Sequence, residues 1–457
     1  MSKNILFAKK EGEEMMYLSG RKLPDKFKPI FGLLYFYRAA TANQLLTAMY
    51  PNDFPPGYIM SVPSKQRPKR LDHLYSTLRQ MVKHGLVQDD KADYVRRKLK
   101  VFSLTKEGVE LAKEALKIDP DLKDAEGFNH QLGEFSYELQ RPPKNRMTHH
   151  LLLVDFFLKL NFIKVRHPNI TLDYRDNRYA SKRYTITIKG EIEDDIKTVF
   201  FRPDAELLLQ GKRYYAEIDT GSEYLEELKS KFEGYARYFI KLESENRSLP
   251  EAIIFVTNEK EHDNHVKRRW KTISSAFLSV MNKWKTRVNL ILAPLNHVQR
   301  VILEEVNAER GLGDLGSKMK YYLPDPGQLS YMGQKYGVSW GTAYFNVVPQ
   351  NNGREVLFLY ERSTGYETRG ICRAYDFIEN YSAIQKITKR LANVDVVMPI
   401  FYHHTFDYRA LETNSFTSKE SAKQIMNDCY VLDIESNPKW KYGSGEEIQY
   451  PNPLVTT

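Results

Sequence analysis

RPDAELLLQGKRYYAEIDTGSE, residues 202–223, is the stretch whose reading decides the fold. AELLLQ and KRYYAEIDT read as two strands, with Gln210-Gly211 as the hairpin turn between them. Side chains along a strand alternate in direction, so Glu217 and Asp219 share one face while Ile218 packs on the other. The turn returns the chain so that Asp204 and Glu217 come close on neighbouring strands. Three carboxylates converging on one point repel one another unless a cation sits between them, and hard oxygen ligands of this kind suit Mg2+ or Mn2+. Such an ion activates water and stabilises charge on a phosphate in flight. Asp204, Glu217 and Asp219 are therefore the expected metal ligands and catalytic residues. Each has a plainer reading beside this one: an Asp after Pro as a turn residue, and a Glu-x-Asp pair as the solvent face of a strand.

The next segment, SEYLEELKSKFEGYARYFIKL, reads as a long helix with Leu225, Leu228, Phe232, Tyr235 and Phe239 as its apolar stripe. Lys231 lies on the flank of that stripe. There it can bury its stem and send its amine toward the end of the sheet, to orient a water or pair with a phosphate. A lysine so placed is more often an i,i+4 partner, here of Glu227. Around these segments the pattern alternates. THHLLLVDFFLKL is helical, ITLDYR, RYTITIKG and KTVFFRPDAELLLQ are strand-like, AIIFVTNE and VNLILAPL are short apolar strands, and HVKRRWKTISSAFLSVMNKW is a helix between them. Strands followed by helices that cover them give a mixed α/β fold.

Upstream lies a different module. FKPIFGLLYFYR and TANQLLTAMY read as helices, the second capped by Thr41. Leu71, Leu74, Leu78, Met81 and Val82 recur at three and four residues in a third helix that ends at Gly85. LVQDDKADYVRRKLKVFSL then reads as a two-stranded hairpin, and Thr105 caps KEGVELAKEAL. This order is a winged helix-turn-helix. The charge agrees with it: the chain carries a formal +10, and residues 1–110 hold about 20 Lys/Arg against about 11 Asp/Glu. Lys65, Arg67, Lys69 and Arg70 open the third helix, with Arg79 along it, and Arg96, Arg97 and Lys98 lie in the wing. A helix of this size fits the major groove of double-stranded DNA and a basic hairpin reaches the neighbouring phosphates. A winged helix used for protein contact is the alternative.

Composition narrows the rest. With 42% hydrophobic and 28% charged residues the chain is globular, and collagen-like or disordered classes are excluded. Two cysteines, Cys372 and Cys429, make neither a disulfide framework nor a four-cysteine zinc site. No apolar run is long enough to span a bilayer, and the opening MSKNILFAKKEGEEMM carries acids where a signal peptide needs its apolar core. A soluble cytoplasmic protein is expected.

RPDA, then EIDTGSE on a strand, then KFEGYARYF on a helix, all behind a winged helix, resembles the replication-relaxation family of plasmid proteins, a group that the MobC-type relaxases resemble too. The resemblance covers the chain to about residue 295. It implies a second domain similar to the PD-(D/E)xK nuclease fold, with Asp204 at the Asp position, Glu217 at the Glu position, and Asp219 where that fold carries its lysine. The missing lysine is then expected on the following helix, as Lys231 or Lys229. It also implies metal-dependent nicking of origin DNA in a plasmid or integrative element, as in mobilisation and conjugation, with relaxosome accessory or coupling proteins as partners. The alternative is a non-catalytic DNA-binding regulator with a degenerate nuclease fold. The His-x-His relaxase signature is absent, and His149-His150 and His403-His404 read as structural.

The expected organisation is a winged helix over 1–118, a linker over 119–146, a nuclease-like domain over 147–296 and an α/β extension over 297–457. In the extension, EVLFLYE, VDVVMPIFY and DCYVLDI read as strands, FIENYSAIQKITKRL as a helix, Ser363-Thr364-Gly365 as a turn, and Thr417 with Glu420 as a capping box.

Overall fold

A computed structural model describes residues 15–57, 68–94, 97–122, 128, 132–142, 144–188, 195–258, 263–322, 329–349, 353–363, 367–403, 429–433 and 439–442. Lys65, Arg67, Arg96, the turn at Thr364-Gly365 and the Thr417–Glu420 cap lie outside the described residues. The fold is mixed α/β, in two compact units: Met1–Asn169 with Tyr174–Ala180, and Ile170–Asp173 with Ser181–Thr457.

The first unit follows the order expected of a winged helix. After a hairpin of β1 (Met15–Leu18) and β2 (Arg21–Pro24) come α1 (Lys28–Tyr37), β3 (Ala39–Thr41), α2 (Ala42–Met49), α3 (Lys69–Lys83), β4 (Val87–Tyr94), β5 (Arg97–Leu104) and α4 (Lys106–Leu116). The strands form one sheet in the order β3-β5-β4, all antiparallel. Thr41 starts α2 through a capping box: its hydroxyl accepts from Gln44 N at 3.2 Å, and its own N–H donates to Gln44 Oε1 at 3.0 Å. Leu71, Leu74, Leu78 and Met81 of α3 are buried as the stripe predicts, and Gly85 closes the helix at φ 73°. At the start of α4, an added Cβ on Gly108 would lie 1.9 Å from Leu86 O, so only glycine fits where the helix meets the strand.

Helix α5 (Met147–Arg166) packs with this unit, whereas the sequence grouping puts it in the second domain. It is apolar on most sides and buries Leu151 to Val154 and Phe156 to Leu158. Gln44 donates from Nε2 to Leu151 O at 3.0 Å and to Asp155 Oδ1 at 2.8 Å, and the hydroxyl of Tyr94 on β4 donates to the other Asp155 oxygen. These contacts explain the regrouping. His150 is structural, buried with Nε2 3.2 Å from Ala39 O.

The second unit holds two sheets, except that residues 174–176, in the edge strand of the first sheet, are grouped with the first unit. The first has five strands in the order β12-β11-β10-β9-β6, made of β6 (Leu172–Asp176), β9 (Ala205–Leu209), β10 (Lys212–Asp219), β11 (Ala252–Thr257) and β12 (Asn289–Pro294). Strands β9 and β10 are antiparallel, while β10, β11 and β12 run parallel. Gln210 at φ 50° and Gly211 at φ 77° form the two-residue turn between β9 and β10, with both central residues left-handed. A separate hairpin of β7 (Lys182–Ile188) and β8 (Asp195–Phe201) precedes β9. Helices α6 (Leu225–Ser244) and α7 (Asp263–Val280) cover one face, packing Phe232, Tyr235, Phe239, Trp270 and Phe277 on Tyr215, Phe255 and Leu290.

The second sheet has six strands in the order β13-β14-β15-β16-β17-β18: β13 (Ser330–Gly333), β14 (Thr342–Pro349), β15 (Glu355–Arg362), β16 (Val394–His403), β17 (Tyr430–Asp433) and β18 (Lys439–Tyr442). The three strands read in the extension are present. The segment read there as one helix divides into α9 (Arg369–Glu379) and a shorter helix Tyr381–Ile387. The helix α8 (Val298–Tyr322) precedes the sheet.

Burial holds the His150 imidazole down to about 4, with the Arg38 charge adding to the effect. Its folded pKa is depressed, so the unfolded chain takes up the proton first. Its stabilising contribution is complete above about pH 6.5 and declines by about 1.4 kcal/mol per pH unit down toward pH 4. Replacing His150 by Gln should flatten this acid limb in urea unfolding curves recorded between pH 7 and 4.

Candidate functional site

The register of the β9–β10 hairpin builds the site. Ala205 pairs with Ala216, which sets Asp204 just beyond the last pair and beside Glu217. The Ile218 backbone N–H donates to Asp204 Oδ2 at 2.8 Å, fixing that carboxylate at the strand end. Pro203, with no N–H to offer a ladder, separates β8 from β9. Glu217 is 3% exposed and points to the face covered by α6.

On α6, Lys231 and Tyr235 are four residues apart and so share a face. Both reach Glu217: the Tyr235 hydroxyl donates to Oε1 at 2.6 Å, and Lys231 Nζ lies 3.2 Å from Oε2. Lys231 Nζ also lies 2.8 Å from Glu223 Oε1 and 5.7 Å from the centre of the Phe255 ring. Burial raises the Glu217 pKa; Lys231 pulls it back down, and Asp204 pushes it up again. Burial opposes the charge on Lys231, but Glu217, Asp204 and Glu223 outweigh it and leave the ammonium held above its usual range. Burial, with the nearby Glu217 charge, holds the Tyr235 phenol well above its ordinary value, so it acts as a donor.

Asp219 shares the face of Glu217, as strand alternation requires, but it does not join this group. It meets Arg269 of α7 in a two-pronged pair, Nε to Oδ2 and Nη2 to Oδ1, both at 2.6 Å. Asp219 Oδ1 also accepts from Gly221 N at 3.0 Å, and Arg269 Nη1 donates to Glu223 O at 2.6 Å. Asp219 and Arg269 thus pin the loop that carries Glu223. The expectation of three converging carboxylates is corrected to two, Asp204 and Glu217, because a guanidinium already neutralises the third. Of the two helix lysines, Lys231 reaches Glu217, while Lys229 pairs with the exposed Glu226.

Among the described residues, no group of three or more His, Cys, Asp or Glu is arranged to hold a metal ion. A two-carboxylate set remains compatible with Mg2+, which keeps several waters and binds through one or two carboxylates. Asp204, Glu217 and Glu223 all act on the ammonium of Lys231.

The chain's other candidate residues lie on the winged helix. Lys69, Arg79 and Lys98 are exposed. Arg70 is also exposed but is paired with Asp53 and lies 4.5 Å from the centre of the Tyr50 ring. Arg97 opens β5.

The sequence model of the replication-relaxation family matches residues 32–249. Over that span, a little under half of the chain, the protein is similar to the replication-relaxation family. The match runs from α1 through α6 and takes in Asp204, Glu217, Lys231 and Tyr235. No curated protein matches the chain. The family ties the protein to replication or mobility of plasmids and related elements, and to DNA in general terms. No helix among the described residues is long and apolar enough to cross a membrane.

Sequence reasoning missed Arg269, Glu223 and the polar role of Tyr235. Arg269 had a signal in the Arg268-Arg269 pair that interrupts an otherwise amphipathic helix. The site also separates two kinds of charge by mutation. Arg269→Ala leaves the buried Asp219 without its partner and should cost about 3–5 kcal/mol in urea unfolding. Lys231→Met alone should cost more than Lys231→Met combined with Glu217→Gln, because the double change removes the stranded carboxylate as well.

Proposed function

We propose that this protein binds double-stranded origin DNA of a plasmid or integrative element through its winged helix and nicks one strand with a divalent ion. The observation that carries this reading is the meeting of Lys231 with Glu217 beside Asp204, the Asp–Glu–Lys set of a PD-(D/E)xK centre with its lysine supplied from the helix. Asp204 and Glu217 would hold Mg2+ or Mn2+, which when bound supplies charge neutralisation at the phosphate and a more acidic water. Lys231 holds Glu217 in place and presents an ammonium at the edge of the group. Tyr235 fixes the other Glu217 oxygen. The Asp219–Arg269 pair keeps the Glu223 loop in position.

A non-catalytic DNA-binding regulator is the second reading. It is favoured by one observation: Tyr235 and Lys231 already engage both oxygens of Glu217. Partners such as relaxosome accessory or coupling proteins belong to the first reading and have no surface assigned.

Supercoiled origin DNA incubated with the protein and Mg2+ should yield open circles, and Asp204→Asn with Glu217→Gln should abolish them. Undiminished nicking by that double variant would remove the centre from Asp204 and Glu217, and no nicking with any divalent ion would favour the regulator. On either reading, Arg79→Ala with Lys98→Ala should weaken duplex binding. It should also flatten the plot of log K against log salt by about one unit for each phosphate that the variant no longer neutralises.

A further inference from the structure

The two sheets of the second unit repeat one another. In the first, β9 and β10 form an antiparallel pair and β10, β11 and β12 run parallel. In the second, β14 and β15 form the antiparallel pair and β15, β16 and β17 run parallel. Helix α6 links β10 to β11, and α9 stands in the same place between β15 and β16.

The sequence repeats at the same point. EIDTGSE, residues 217–223, ends β10; ERSTGYE, residues 361–367, ends β15. In both lobes the next helix begins two residues after the second glutamate, at Leu225 and at Arg369. Glu361 lies on the face covered by α9, alongside Leu357 and Leu359, as Glu217 lies beneath α6. A cation from the helix meets it, Arg373 Nη1 at 3.7 Å from Glu361 Oε2. Burial pushes Glu361 up to about 7, with Arg373 opposing. The register then locates the equivalent of Asp204. Asp204 precedes Ala205, which pairs with Ala216; Tyr344 pairs with Tyr360, so the equivalent residue is Ala343, wholly buried.

What the second lobe does with these residues differs. In the first, Lys231 and Glu223 side chains are 23% and 31% exposed, open to a ligand. In the second, Glu361, Ser363, Glu367 and Thr368 are all buried. Glu367 and Thr368 take partners from the first lobe. Asn289, at the start of β12, donates to Glu367 Oε2 at 2.6 Å and accepts from the backbone N–H groups of Thr368 and Arg369 at 3.2 and 3.0 Å. Arg369 pairs with Glu251, and Arg373 Nε donates to Thr286 O at 2.7 Å.

We propose that the region from Ser330 to Tyr442 is a degenerate second copy of the nuclease-like lobe, in which the position of the centre has become a clasp that grips the first lobe and takes no divalent ion. The absence of an ion there rests on the reading of Asp204 and Glu217 as the ion-binding pair; the clasp does not. The chain then carries one cutting centre, which suits a nick, and a double-strand cut would take two chains.

The test uses the full-length protein in two arms. In the first, Mn2+ binding is counted by electron paramagnetic resonance. Glu361→Gln should keep the wild-type count and the wild-type open-circle yield, while Asp204→Asn loses the ion. Loss of a bound Mn2+ or of nicking in Glu361→Gln would overturn the proposal. In the second arm, Asn289→Ala and Arg369→Met should each lower the melting temperature by several degrees and speed limited proteolysis between the sheets. Unchanged melting and proteolysis in both would overturn the clasp. If the wild-type protein binds no Mn2+, the reading of the first lobe fails, and the melting arm alone decides the clasp.

Discussion

A carboxylate with almost no access to water governs the candidate site. Glu217 sits near the end of a strand in the middle of a sheet, where ionisation costs free energy unless positive charge or donors are supplied. Lys231 and Tyr235 supply them from one face of α6, and this dictates how that helix lies on the sheet. Asp204 raises the demand, because it adds a second negative charge at the same strand end. The result is a small group of opposed charges, held by a hairpin on one side and a helix on the other.

Much of this was legible in the sequence, and the reasons are local. The winged helix announced itself through Thr41 and Thr105 as caps, a three-and-four stripe on α3 and Gly85 as its stop; each is a short-range preference. The Gln210-Gly211 turn was legible because only a few residue types accept two left-handed conformations in succession. Once that turn is fixed, the proximity of Asp204 and Glu217 follows from pairing. Alternation along β10 correctly put Glu217 and Asp219 on one face.

What alternation does not contain is the partner. Asp219 met Arg269, about fifty residues away along the chain, and a strand pattern carries no information on which helix will cover it. The placement of α5 failed for a similar reason: its apolar residues surround the helix, so periodicity gave no preferred neighbour, and the Gln44 and Asp155 hydrogen bonds that settle it are long-range. The repeat of EIDTGSE as ERSTGYE was visible in the letters. Its meaning needed the strand order, because a seven-residue likeness acquires weight only when both copies end equivalent strands.

The two-residue turn has a consequence for how this gene can change. Because strand side chains alternate, adding or deleting a single codon between Asp204 and Glu217 moves one of them out of step and rotates it away from the other. Point changes along β9 are far milder, since each alters the packing of one side chain. Tolerance to indels should therefore drop to nothing across these few codons while tolerance to replacement stays ordinary, a signature that deep mutational libraries can read without any assay of the chemistry.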